Sequence, residues 1–256
     1  MREFKFSSWW RRGPSDVQCD AVGAVTVLAL LHGGMHHGSC WHAVETELRR
    51  RGYLTVAPDL PVDDDSAGAL QWARVAGAAI DDVAGDSADV VVVGHSIAGL
   101  CLPVLATLRS VRRMVFVGGL LPVPGESFAE HLAANTDAIT FPQPRTDGTG
   151  PFGLTWESVR DGFYHDCPEP VAQQAFGEMR AQSFTVFVET CPIAQWPLTP
   201  STYILLRDDR AVGAQWARRN AVQRIGADLV EMDGGHSPFF SRPVELADVL
   251  ARIAVR

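Results

Sequence analysis

Apolar residues arrive in short, nearly unbroken runs along this chain. The runs are Val25–Leu31, Leu54–Ala57, Val90–Val93, Met114–Val117 and, much later, Thr202–Leu206 and Asp228–Met232. Such runs, rich in β-branched residues, predict short strands buried on both faces. Several stop at turn-forming residues: His32-Gly33-Gly34, Pro58-Asp59, Gly94 and Gly118-Gly119. Stretches of helical periodicity lie between them. Trp41–Arg51 has a basic end and is followed by Gly52, a good helix stop. Ala67–Val83 is alanine-rich, Ser96–Leu108 follows the third strand, and Pro243–Val255 is an amphipathic terminal helix. Strands alternating with helices predict an α/β fold with a mostly parallel sheet and helices on both faces.

One span breaks the alternation. From about Pro122 to Pro200 the chain is rich in Pro, Gly and aromatics, and its best strand candidate, Phe184–Val188, is ambiguous. Helix-like pieces fall near Glu126–Ala134, Trp156–Tyr164 and Val171–Arg180. The expectation is a helical cap over 122–200, inserted into a core formed by 23–121 and 201–256. Residues 1–22 read as an N-terminal extension, and Trp9 and Trp10 suggest that it docks somewhere. No internal repeat or low-complexity tract is present.

Composition narrows the picture. A length of 256 residues fits one such domain, and 46% hydrophobic with 20% charged residues supports a large core. The net charge of −8 argues against a nucleic-acid partner, which would want a basic face. No run reaches the roughly 18 apolar residues of a membrane span. Arg2, Lys5, Arg11 and Arg12 ahead of Ala21–Leu31 imitate a signal peptide, but Asp16 and Asp20 interrupt it and no small-x-small cleavage site follows. The five cysteines are odd in number, widely spaced and lack a CxxC pair. That disfavours a disulfide framework or structural zinc and fits a reducing, cytoplasmic setting.

Chemistry concentrates at the ends of strands. Gly94-His95-Ser96-Ile97-Ala98-Gly99 lies between a strand and a helix, the context of a nucleophile elbow. The turn is tight, so Ser96 needs small neighbours, and Gly94 and Ala98 supply them. A serine needs a base to act as a nucleophile. Of the eight histidines, only His236 follows a late strand, where ligands gather in open α/β sheets. Asp208-Asp209 follows Thr202–Leu206 and offers a carboxylate to orient that base, in the chain order Ser, Asp, His. The residues themselves do not choose between the two aspartates. An oxyanion hole would use the Ile97 N–H and an N–H from the His32-Gly33-Gly34-Met35 turn, Gly34 being favoured. His32, His36 and His37 have loosely metal-like spacing, but no carboxylate or cysteine pattern completes a site, so neither metal nor cofactor is expected. Asp63-Asp64-Asp65 reads as a solvated loop.

With these residues assembled, the chain resembles the α/β-hydrolase superfamily over nearly its whole length. Within it, the chain is most similar to small-cap esterases related to plant methyl-ester esterases and hydroxynitrile lyases. The stretches that carry the resemblance are His32-Gly33-Gly34…Trp41, Gly94-His95-Ser96-Ile97-Ala98-Gly99, Asp209-Arg210-Ala211-Val212 and Gly234-Gly235-His236-Ser237-Pro238-Phe239. The resemblance implies that Asp209 is the triad acid and that Gly34 is the second oxyanion donor. One departure stands out: those lyases carry a lysine directly after the catalytic histidine, where this chain has Ser237.

The expected function is therefore a serine carboxylesterase with a Ser96–His236–Asp209 triad. It would act through an acyl-enzyme on a small to medium hydrophobic ester. Phe152, Trp156, Phe163, Tyr164, Met179, Phe184, Phe187 and Trp196 make the cap region apolar. Two alternatives stand beside this. One is another reaction on the same triad, such as lactone or thioester hydrolysis, or C–C or cyanohydrin cleavage. The other is a non-catalytic ligand-binding protein on a hydrolase scaffold. The partner expected is a small molecule, with no nucleic acid or membrane, and a homodimer is compatible with the sequence.

Overall fold

The structure is a computed structural model that describes residues 26–85, 89–141 and 154–256. The extension with Trp9 and Trp10, and Phe152, lie outside the described residues. Six strands form one sheet: β1 (Thr26–Leu31), β2 (Leu54–Val56), β3 (Asp89–His95), β4 (Arg113–Val117), β5 (Ser201–Leu206) and β6 (Asp228–Met232). Their order is β2-β1-β3-β4-β5-β6, and every pairing is parallel.

The apolar runs are unbroken because both faces of the sheet are covered. Alternate residues of each strand belong to different cores. Val27, Val90, Val92, Met114, Phe116 and Tyr203 face one side, with Trp72 of α2 (Ala69–Ala84), Leu105 of α3 (Leu102–Leu108) and Trp216 of α8 (Ala214–Arg219). Leu28, Leu30, Val91, Val93, Val115 and Ile204 face the other, with Leu48 of α1 (His42–Arg50) and Leu250 of α10 (Pro243–Ala254).

Between β4 and β5 the described residues add no strand to the sheet. They form α4 (Phe128–Ala134), α5 (Trp156–Phe163), α6 (Glu169–Gly177) and α7 (Thr185–Val188). A capping box starts α4: Ser127 Oγ accepts the Glu130 N–H, and Glu130 accepts the Ser127 N–H. The ambiguous Phe184–Val188 run is the single turn α7, whose first N–H donates to Ser183 Oγ at 3.2 Å. The last described helix before α10 is the short α9 (Pro238–Ser241). Among the described residues, no helix is long and apolar enough to cross a membrane.

Two of the element boundaries that differ from the sequence pattern have a plain physical reason. The helix expected over Ser96–Leu108 is a tight 3-10 turn, Ser96–Leu100, followed by α3. Pro103 has no N–H to give and is accommodated only in the first turn of a new helix. The helix expected from Ala67 begins at Ala69, because the Ala69 N–H is taken by the carboxylate of Glu189, a cap supplied from 120 residues away.

Two glycines test how tightly the helices pack on this sheet. A Cβ at Gly77, inside α2, would meet Leu105 at an ordinary 3.6 Å. Gly77→Ala should stabilise the fold by about 0.5–1 kcal/mol, the helix-propensity difference. A Cβ at Gly99 would lie 2.2 Å from the Leu120 carbonyl oxygen, which is backbone and cannot turn aside. Gly99→Ala should destabilise by about 1–3 kcal/mol. Urea unfolding midpoints of the two variants should therefore move in opposite directions.

Candidate active site

The sequence-predicted residues meet above the C-terminal ends of the strands. Ser96 follows β3 directly and has φ 53°, in the left-handed region that a side chain with a Cβ avoids. Holding it there costs of order 1–3 kcal/mol. The surroundings enforce it: a Cβ at Gly94 would sit 2.3 Å from Leu102, and the Leu120 N–H donates to the Ser96 carbonyl at 2.9 Å. The strand thus turns sharply into the next element and presents Ser96, half-buried, at the wall of a cavity.

His236 follows β6 in the Asp233–Pro238 loop. Its Nδ1 lies 2.9 Å from Asp209 Oδ2 and 3.1 Å from Oδ1, and both side chains are only 3% exposed. The Asp209 carboxylate is itself aimed, because Oδ1 accepts the Ala211 and Val212 N–H groups at 2.8 and 3.0 Å. Asp208 points elsewhere. Its Oδ2 accepts the Gly234 N–H, its own N–H donates to the Gly234 carbonyl, and its carbonyl is held by His165 Nε2 at 2.9 Å. One aspartate orients the imidazole and its neighbour ties down the loop that carries it.

Further contacts on His236 involve residues the sequence did not single out for this role. His95 Nε2 donates to the His236 carbonyl at 2.7 Å, with the two rings 4.6 Å apart. Phe163 stacks on the imidazole at 5.3 Å, and Asp166 accepts the Gly235 N–H at 2.8 Å. Nothing in the sequence pattern links Asp166 to Gly235, since they lie 69 positions apart.

The histidines near β1 do not converge on a point. His32 Nε2 accepts the Leu60 N–H, which leaves Nδ1 as the donor to the Gly33 carbonyl at 2.8 Å. His36 Nδ1 donates to the Gly34 carbonyl at 2.7 Å, while Nε2 accepts the Tyr164 hydroxyl at 2.8 Å. His37 Nε2 donates to the Glu178 carbonyl. Two consecutive peptides are therefore pinned by two imidazoles. In a trans peptide the N–H points opposite the C=O. Tethering the Gly33 carbonyl to His32 therefore turns the Gly34 N–H away from His32, and Gly34 itself lines the cavity. Among the described residues, neither the Gly34 nor the Ile97 N–H donates to a backbone carbonyl outside its own element.

The cavity has a volume of about 220 Å³, at the small end for ligand pockets. Gly34, Ser96, Ile97 and His236 share its wall with Leu120, Phe141, Leu154, Phe163, Phe184 and Phe187, and no Asp, Glu, Lys or Arg is among its described lining. Of the aromatics singled out above, Phe163, Phe184 and Phe187 face it. Trp156, Tyr164 and Met179 instead pack in a small core around Val159, and Trp196 packs against the main one.

Comparison with known proteins follows the same outline. Residues 28–249 match the α/β hydrolase family. The chain belongs to that family. Among curated proteins it is similar to the α/β hydrolase nvfD of Aspergillus novofumigatus, at 28% identity over 84% of this chain and 91% of that protein. It is also similar to the pyrethroid hydrolase of Sphingobium wenxiniae, at 27% identity over 90% and 88%, and to methylesterase 18 of Arabidopsis thaliana, at 25% over 88% and 95%. Among solved structures, a pyrethroid hydrolase from Sphingobium faniae superposes with a TM-score of 0.69 at 25% identity, covering 90% of this chain and 98% of that one. A polyneuridine aldehyde esterase superposes at 0.74 and shares the fold at 16% identity, over 90% and 99%.

In this α/β hydrolase three buried imidazoles beside the cavity, those of His32, His36 and His95, are held neutral. Burial holds His32 and His36 down to about pKa 4, against an ordinary 6.5, and pushes His95 well below its ordinary value. An unfolded chain protonates these rings as pH falls through 6.5, whereas the folded one keeps His32 and His36 neutral until about 4. Unfolding therefore takes up protons in that window, and stability falls as pH falls. Each ring contributes up to roughly 1.4 kcal/mol per pH unit. Thermal melts between pH 7 and 4 should show Tm dropping steadily below pH 6.5, with a shallower slope in His32→Gln. A Tm that is flat across this range would contradict the neutral, buried assignment.

Proposed function

We propose that this hydrolase cleaves a small to medium hydrophobic carboxylic ester through an acyl-enzyme on Ser96. The observation that carries the proposal is the buried His236–Asp209 pair opening onto an uncharged cavity that Ser96 also lines. The names of its relatives, a pyrethroid hydrolase and a methylesterase, are in keeping with an ester substrate.

In the proposed reaction the Ser96 oxygen attacks the ester carbonyl carbon and passes its proton to His236 Nε2. The carbonyl oxygen becomes an oxyanion, held by the N–H groups of Gly34 and Ile97. Donors fixed beforehand stabilise that charge without having to reorganise. Asp209 keeps the imidazole in the tautomer with Nδ1 protonated and stabilises the imidazolium. The intermediate collapses, the alcohol leaves with the proton from His236, and a water activated by the same histidine releases the acid and restores Ser96. No step draws on a metal or cofactor. Residues 122–200 serve as a cap, whose aromatic side chains close the pocket over the acyl or alcohol group.

Nitrophenyl esters of increasing chain length provide the first assay. Ser96→Ala should abolish turnover, and a fluorophosphonate should label Ser96. Near-wild-type turnover in Ser96→Ala, or a label found elsewhere, would overturn the mechanism.

The adjacent aspartates provide a sharper contrast. Asp209→Asn should lose roughly 10⁴ in turnover, as expected when a triad histidine is left in the wrong tautomer. Asp208→Asn should keep most of its turnover and lose stability instead. The reverse order, with folding verified by circular dichroism, would move the acid by one residue.

A further inference from the structure

Cap residues 178–183 run beside the turn that carries Gly34, and both main-chain groups of Met35 are committed to them. The Met35 N–H donates to Gln182 Oε1 at 3.2 Å, and the Met35 carbonyl accepts the Arg180 N–H at 2.9 Å. With Ser96, Met35 is one of two described non-glycine residues in the left-handed region, at φ 61°. Such a conformation persists only where the surroundings hold it.

The amide that holds it is itself anchored. Gln182 is 8% exposed, and its Nε2 donates to the Ser183 carbonyl at 2.8 Å. The Ser183 N–H in turn donates to the Val62 carbonyl of the core. The Met35 N–H requires an acceptor, which assigns the amide oxygen to that side. A Cβ at Gly34 would lie 2.9 Å from the same oxygen, so the amide sits directly against the oxyanion turn, and Gln182 also lines the cavity.

We propose that Gln182 is a positioning residue for the oxyanion hole. The Gly34–Met35 peptide is gripped at both ends: His36 Nδ1–H holds its carbonyl and Gln182 Oε1 holds its N–H. Fixing that peptide plane removes the rotation at Gly34 that would swing the preceding N–H away from a developing oxyanion. A side chain of the cap thus adds a second restraint on the turn beside the two imidazole tethers, and that restraint lasts only while residues 178–183 are docked. The inference rests on the reaction proposed above.

The test replaces Gln182 with Met, which matches its length and fills its space but whose thioether is only a weak acceptor for the Met35 N–H. Losing an oxyanion donor outright costs 10²–10³ in kcat, and loosening one should cost less. Gln182→Met is expected to lower kcat about 10-fold with KM within about twofold. Affinity for a trifluoromethyl ketone, which adds to Ser96 and forms an oxyanion, should fall by a similar factor. Affinity for the matching non-fluorinated ketone should not change. A kcat within twofold of wild type, or equal losses for both ketones, would overturn the proposal and leave Gln182 a packing residue. Should Gln182→Met fail to fold, Gln182→Leu is read in the same way. Failure of both to fold would make the residue structural and likewise overturn it. Failure of the underlying reaction is distinguishable, because it appears in the wild-type protein as an unlabelled Ser96.

Discussion

The left-handed turn at Ser96 is the constraint around which the rest of the site is arranged. β3 runs to its last residue and reverses within one position, with φ 53° at Ser96. That is tolerable only because the turn is boxed in: Leu102 fills the space beside Gly94, Leu120 closes on Gly99, and the Leu120 N–H holds the Ser96 carbonyl. The strain is local, while the forces that balance it are spread over β3, the start of α3 and the loop after β4.

Around it, the β-sheet core and the segment between β4 and β5 divide the work. The core supplies the groups of the proposed chemistry at strand ends. The described residues between β4 and β5 supply much of what holds them: Phe163 against the His236 ring, Asp166 on the Gly235 N–H, Tyr164 on His36, and Arg180 and Gln182 on Met35. Buried hydrogen bonds of this kind specify orientation more than they add stability. In this protein the segment between β4 and β5 is as much a part of the site's geometry as the sheet is.

What the sequence made legible follows from how locally each feature is encoded. The strands and the parallel sheet were readable because burial on both faces leaves an apolar run that needs no partner to be recognised. Ser96 was readable because the elbow demands small residues at fixed offsets, and His236 because it directly follows a strand. The start of α2 was not, because its cap is Glu189 rather than a neighbouring side chain. Gln182 and Asp166 carried no signal either. Their partners lie 147 and 69 positions away, and a lone glutamine or aspartate in a Pro- and Gly-rich span looks the same whether or not it grips a distant loop. His32 and His36 were visible as a cluster, but spacing alone could not reveal that each ring pins a peptide.

The uncharged lining of the cavity bears on how a turnover would end. An ester enters as a neutral molecule and gives up little hydration among Leu120, Phe141, Phe163 and Phe187. The acid it becomes is ionised at neutral pH, and an unpaired carboxylate among hydrocarbon side chains is costly to keep out of water. The same walls that welcome the reactant therefore expel the product, and no moving part has to push it out.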